Sequence, residues 1–113
     1  MGVIKSMNPA TDFFCKFVFE RLEQIPGFRS RRMFGGVGLY AGAKFFGLIA
    51  AGRLYFRANE ETRVDYVAAG MGYFQPTPEQ AIKNYYEVPA DILEDSDRLV
   101  AWAEGAVRIT PAK

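Results

Sequence analysis

The sequence predicts an α+β fold, a mainly antiparallel sheet with helices in the order α-β-β-β-β-α-β-β-α. Apolar residues first recur at helical spacing, up to Pro26-Gly27. Beyond Phe28 the period drops to two, and Gly35-Gly36, Gly42 and Gly52 cut the chain into short segments. The loops between those segments are too short for the crossover that parallel strands need, so neighbours must run antiparallel.

Pro9, Thr11 and Asp12 open a helix whose apolar stripe is Phe14, Phe17, Val18, Leu22 and Ile25. Phe13 and Phe19 fall off that stripe, whereas Arg21 falls in its middle and is expected to snorkel at the core edge with its head group paired. Strands are read near 30–34, 37–41, 44–51 and 53–58. In the last of them Leu54 and Phe56 alternate with Arg53, Tyr55 and Arg57, which predicts one buried and one solvated face. Asn59 caps a helix over about 60–69, with Glu60 and Glu61 in its first turn, Gly70 at its end, and Val64, Val67 and Ala68 facing the core. A strand at 71–74, a loop at Pro76 and Pro78, and a strand at 82–88 ended by Pro89 come next. Asp91 to Glu94 reads as one helical turn. Asp95 or Ser96 then caps a last helix with Leu99, Trp102, Ala103, Ala106 and Val107 on one stripe and Pro111 at its end. Residues 10–113 are expected to form a single domain and 1–9 an N-terminal extension, in which Met7 before Asn8-Pro9 reads as a second start.

A chain of 113 residues is long enough to bury one core without staples. Fourteen Lys plus Arg against thirteen Asp plus Glu leave a net charge of +1, which gives no global attraction to nucleic acid or membrane. The absence of His excludes Ser-His-Asp and Cys-His catalysis and the usual zinc sets. Cys15 is the single cysteine, so no disulfide forms within the chain, which suits a reducing cytosol. The first seven residues lack the apolar core of a signal peptide, and the longest near-apolar run, Phe45 to Ala51, is far short of the roughly 20 residues of a membrane span. The expected protein is cytoplasmic, has no membrane attachment, and needs neither cofactor nor metal.

Gly36-Val37-Gly38-Leu39-Tyr40-Ala41 spells a loose dinucleotide fingerprint, but that motif must open a helix, and here Val37, Leu39 and Ala41 read as a strand. Gly42-Ala43-Lys44 is followed by Phe45 rather than Ser or Thr and reads as a hairpin turn. Asp95-Ser96-Asp97 lacks the further ligands that calcium needs and reads as a helix cap. Glu60 and Glu61 are adjacent, so they point apart on a helix and cannot share a proton. Cys15 has no His base and reads as a buried structural thiol. No catalytic residue emerges. What remains is basic and aromatic interleaving: Arg29, Arg31 and Arg32 at the first strand, Arg53, Tyr55 and Arg57 on one face of the fourth, Lys83 and Tyr85 on one face of the penultimate element. Such a face suits weak binding of single-stranded nucleic acid by stacking and charge, although Glu87 shares its parity and dilutes the charge. An ordinary solvated face fits the same residues.

Arg31-Arg32-Met33-Phe34-Gly35-Gly36-Val37-Gly38-Leu39-Tyr40, Phe46-Gly47-Leu48-Ile49, Leu54-Tyr55-Phe56-Arg57 before Asn59-Glu60, and Tyr85-Tyr86-Glu87-Val88-Pro89 with Trp102-Ala103 together resemble the N-terminal domain of the TfoX/Sxy family, over about residues 13 to 108. The resemblance implies an α+β fold like that of the secretion chaperones. It also implies a regulator of natural competence, of a kind that acts with a cyclic-AMP receptor transcription factor, here as a stand-alone N-terminal module without the family's C-terminal helical domain. It transfers no catalytic residue. Arg31, Arg32, Met33, Phe34, Gly35 and Gly36 match its signature and are expected to form an interaction surface for a protein partner, with a transcription factor as the partner class. The off-stripe Phe13 and Phe19, together with the dimer habit of chaperone-like folds, point to a homodimer.

Overall fold

The structure, a computed structural model, describes residues 9–33 and 35–111. Helix α1 spans Pro9–Leu22. Strands β1 (Phe28–Met33), β2 (Gly36–Ala41), β3 (Lys44–Ala50) and β4 (Arg53–Arg57) follow, then α2 (Arg63–Ala68), β5 (Tyr73–Thr77), β6 (Gln80–Glu87), α3 (Ala90–Leu93) and α4 (Ser96–Ile109). The strands form one six-stranded sheet in the order β1-β2-β3-β4-β6-β5, every neighbouring pair antiparallel. This is the α+β architecture expected, with the turn at Asp91–Glu94 realised as α3.

The helices pack on one face. Cys15, Val18 and Leu22 of α1 share a core with Leu39, Phe46, Ile49, Leu54 and Phe56 of the sheet and with Leu99, Ala103 and Ala106 of α4. Asp95 caps α4, its carboxylate accepting from the Arg98 N–H at 3.2 Å. A bulge adjusts the sheet to this core. Leu39 pairs with Gly47 but Tyr40 pairs with Phe45, so Phe46 is the extra residue. Phe46 drops fully into the helix-side core against Phe28 and Phe56, while Phe45 keeps to the opposite face beside Tyr40.

Four expectations are corrected. Val64 and Val67 are 60% and 56% exposed and Ala68 is exposed too; Tyr66 is the residue of α2 that faces the core, packing on Tyr86 and Trp102. A helix of six residues has room for one anchor, and the large ring fills the space that two valines were expected to share. Asn59 caps the turn before α2 rather than a helix beginning at 60: its Oδ1 accepts from the Glu61 and Thr62 N–H groups, and Thr62 Oγ1 accepts from the Asn59 N–H. Pro76 lies inside β5, not in a loop. It is tolerated because β5 is an edge strand with two register shifts. Arg21, finally, stacks its guanidinium 3.7 Å from the Phe17 ring centroid instead of pairing with a carboxylate, and its buried Nε has no hydrogen-bond partner among the described residues.

Candidate interaction surface

Register decides which side chains share the face away from the helices. Arg29, Arg31 and Met33 lie opposite Tyr40, Gly38 and Gly36 and stand on this open face, whereas Ser30 and Arg32, opposite Leu39 and Val37, stand on the helix side. The signature residues are therefore split. Arg31 and Met33 look one way, and Arg32 looks the other, lining a recess with Cys15, Phe19, Ser30 and Val37. Phe34 lies outside the described residues. Gly35 takes the left-handed conformation, φ 76°, that turns β1 into β2. Gly36 is fixed by space, since a Cβ there would sit 2.5 Å from the Ile49 carbonyl oxygen.

The centre of the open face is a small apolar layer. A Cβ on Gly38 would lie 2.8 Å from Met33 Cε, 3.1 Å from Phe45 Cε1 and 3.2 Å from Tyr40 Cε1, so the missing side chain lets three others close over the strand. Tyr40 stacks on Phe45 at 5.2 Å, Phe45 meets Tyr85 at 5.4 Å, and Tyr55 meets Phe74 at 4.8 Å. The Tyr85 hydroxyl donates to the Phe45 carbonyl at 2.9 Å. Tyr55 and Tyr85 are 9% and 4% exposed, so the solvated face expected around Tyr55 is in fact closed. Burial pushes both phenols above their ordinary pKa of 10.0, with the Glu87 carboxylate adding to the effect at Tyr55.

Around this layer runs a basic rim. Arg29 lies 4.8 Å from the Tyr40 ring centroid and its Nε donates to the Gly42 carbonyl at 3.1 Å. Arg53 Nη1 contacts both Glu87 carboxylate oxygens, at 3.1 and 3.0 Å, so its charge is already matched. Arg57 stands 5.8 Å from the Tyr85 centroid. Lys83 turns instead over Tyr73, at 5.7 Å. The structure thus unites Arg53, Tyr55, Arg57 and Tyr85, while Lys83 meets Arg57 only across a shallow recess that Arg63 and Glu60 also line. Composition and parity missed two things: the place of Arg63 in that recess, and the self-covering of the rings, for which a glycine in mid-strand at Gly38 was the available signal.

The faces of Tyr55 and Tyr85 are committed to neighbours within the protein. What remains for a partner is guanidinium groups around an apolar floor, and the edge of β1. Among the described residues no group of three or more His, Cys, Asp and Glu is placed to hold a metal ion, and no helix is long and apolar enough to cross a membrane.

Comparison with known proteins agrees with the resemblance. The DNA transformation protein TfoX1 of Aliivibrio fischeri (strain ATCC 700601 / ES114) is 33% identical to this chain over 72 residues, 62% of the chain and 34% of that protein. The chain thus spans about a third of the length of the curated relative it matches. The TfoX N-terminal domain family matches residues 20–109, the stretch that runs from the last turn of α1 to the end of α4, and the chain belongs to that family.

Proposed function

We propose that this chain is a non-enzymatic, cytoplasmic regulatory or adaptor domain that acts by binding another protein, with a transcription factor as the partner class and, as the relative's name suggests, the control of DNA transformation as the setting. Residues 10–113 would serve as one folding unit. The supporting observation is the state of the rings: Tyr55 and Tyr85 are buried and engaged, and Arg53 is held by Glu87, so the surface is better suited to a protein's mixed side chains than to stacked bases. Affinity capture from the native cell followed by mass spectrometry tests this; recovery of one protein in stoichiometric amount is the expected result.

Weak nucleic-acid binding is the second reading, and the recess lined by Arg57, Arg63 and Lys83 favours it. With a net charge of +1 the expected Kd is about 10⁻⁵ M or weaker near physiological salt. Fluorescence anisotropy over a salt series, on the wild type and on Arg53→Ala/Arg57→Ala, separates the readings: submicromolar binding lost in the double variant would replace the adaptor. Homodimerisation is a further part of the proposal; of the two off-stripe rings behind it, Phe13 is 74% exposed on α1, whereas Phe19 packs on Phe28 at 6.1 Å against the core. A monomer mass by light scattering at tens of micromolar would remove it.

A further inference from the structure

Resting on the protein-binding reading above, we propose that the free edge of β1 takes up an extended acidic segment of a partner protein as an added strand. Backbone geometry supplies the first ground. The Gly42 N–H donates to the Gly27 carbonyl at 2.9 Å, which makes that pair a hydrogen-bonded one. Bonded and non-bonded pairs alternate in an antiparallel ladder, so Arg29, Arg31 and Met33 bond toward β2, and Phe28, Ser30 and Arg32 turn their backbone outward. The Phe28 N–H is already used by the Ile25 carbonyl at 3.0 Å. Ser30 and Arg32 present N–H and C=O to the edge.

Side chains supply the second. Arg29 and Arg31 flank the edge on the open face and Arg32 on the helix side, and neither Arg31 nor Arg32 is ion-paired among the described residues. A strand laid along β1 sends alternate side chains to both faces, so its acidic residues would lie directly across from these arginines. On the helix side, the recess lined by Cys15, Phe19, Ser30, Arg32 and Val37, about 210 Å³, has room for one of its side chains. A nucleic-acid strand lying on one face would reach Arg29 and Arg31 but leave Arg32 unused.

A second copy of the chain fits this edge poorly. Antiparallel self-pairing that keeps side chains on matching faces sets residues i and j opposite with i + j even and constant. Sums of 58, 60, 62 and 64 put Arg29 on Arg29, Arg29 on Arg31, Arg31 on Arg31, and Arg32 on Arg32. Every such register that pairs three or more residues of β1 with β1 sets arginine against arginine, which selects for a partner of opposite charge.

The test uses a short fluorescein-labelled peptide in which adjacent glutamate pairs alternate with valine, so that glutamate reaches both faces, its lysine counterpart, and a labelled oligothymidylate. Ser30→Pro removes one outward N–H and no bond of the β1–β2 ladder, and Arg29 before it is already extended. The glutamate peptide should bind the wild type and lose about tenfold or more in affinity on Ser30→Pro and on Arg31→Glu/Arg32→Glu. The latter variant should gain affinity for the lysine peptide. Hydrogen exchange on the wild type reads the same geometry without a variant: the Ser30 and Arg32 amides should be protected when the glutamate peptide is added. Equal binding of both peptides, binding unaffected by Ser30→Pro, or no protection of those two amides overturns the proposal, as does oligothymidylate bound more tightly than peptide. If a partner captured from the native cell is retained equally by the wild type and both variants, the edge proposal falls while the adaptor reading stands; if no protein is captured, the adaptor reading falls.

Discussion

On its covered face the sheet meets other elements: Phe46, Leu54 and Phe56 are fully buried beneath α1 and α4. On its open face the sheet covers itself, with Met33, Tyr40 and Phe45 folding over Gly38 and Phe74 over Tyr55. Both faces bury aromatic rings, yet only the first excludes water from both sides of the side-chain layer. The covered face should therefore carry most of the stability, and the open face most of the freedom to change without loss of fold.

The difference between the two faces should show most strongly at Phe56. Phe56→Ala leaves a cavity between β4 and the helices and should cost about 3–5 kcal/mol in denaturant unfolding; a cost similar to that of a rim substitution would show that the two faces are not different in kind. Alkaline titration probes both faces through their phenols. Burial raises the phenol pKa values of Tyr66 on the covered side, most strongly, and of Tyr55 and Tyr85 on the open side. Since each folded-state pKa lies above the unfolded value near 10.0, the unfolded chain gives up these protons first, and stability should be intact below pH 10 and fall as pH rises beyond it. Absorbance of tyrosinate against pH, with circular dichroism alongside, should show Tyr66 ionising only as the fold is lost. A smaller effect belongs to Tyr85→Phe, which removes the bond to the Phe45 carbonyl and should cost about 1 kcal/mol. Smallest is Arg53→Ala. Its ion pair with Glu87 is largely exposed, so the loss should stay below about 1 kcal/mol and shrink further in high salt.

Much of this was legible in the residues. Glycine pairs and short loops place the first four strands within two residues of where they lie, and the α4 stripe and its Asp95 cap follow from spacing and capping chemistry. The α2 face was misread because periodicity counts valines and ignores the size of one ring; Tyr66 takes the core by volume. The open face was misread because parity assigns tyrosine to solvent by its hydroxyl, whereas Tyr85 carries that hydroxyl to a carbonyl and buries its ring. Arg31 and Arg32 were grouped by adjacency, although neighbours in a strand necessarily point to opposite faces. What no single-chain pattern contains is the bulge at Phe46, since it answers to the volume available under α1 and α4.

The two edges of the sheet are unequal, and this governs how assemblies can grow. β5 is short, twice shifted in register and interrupted by Pro76, so it is a poor template for further pairing. β1, by contrast, presents a regular six-residue strand. Copies of a sheet that can extend from one edge only cannot propagate head to tail, whereas a sheet open at both edges can grow into a filament. The proline in β5 thus disfavours growth at that edge, and a strand added under the proposal above would add at β1.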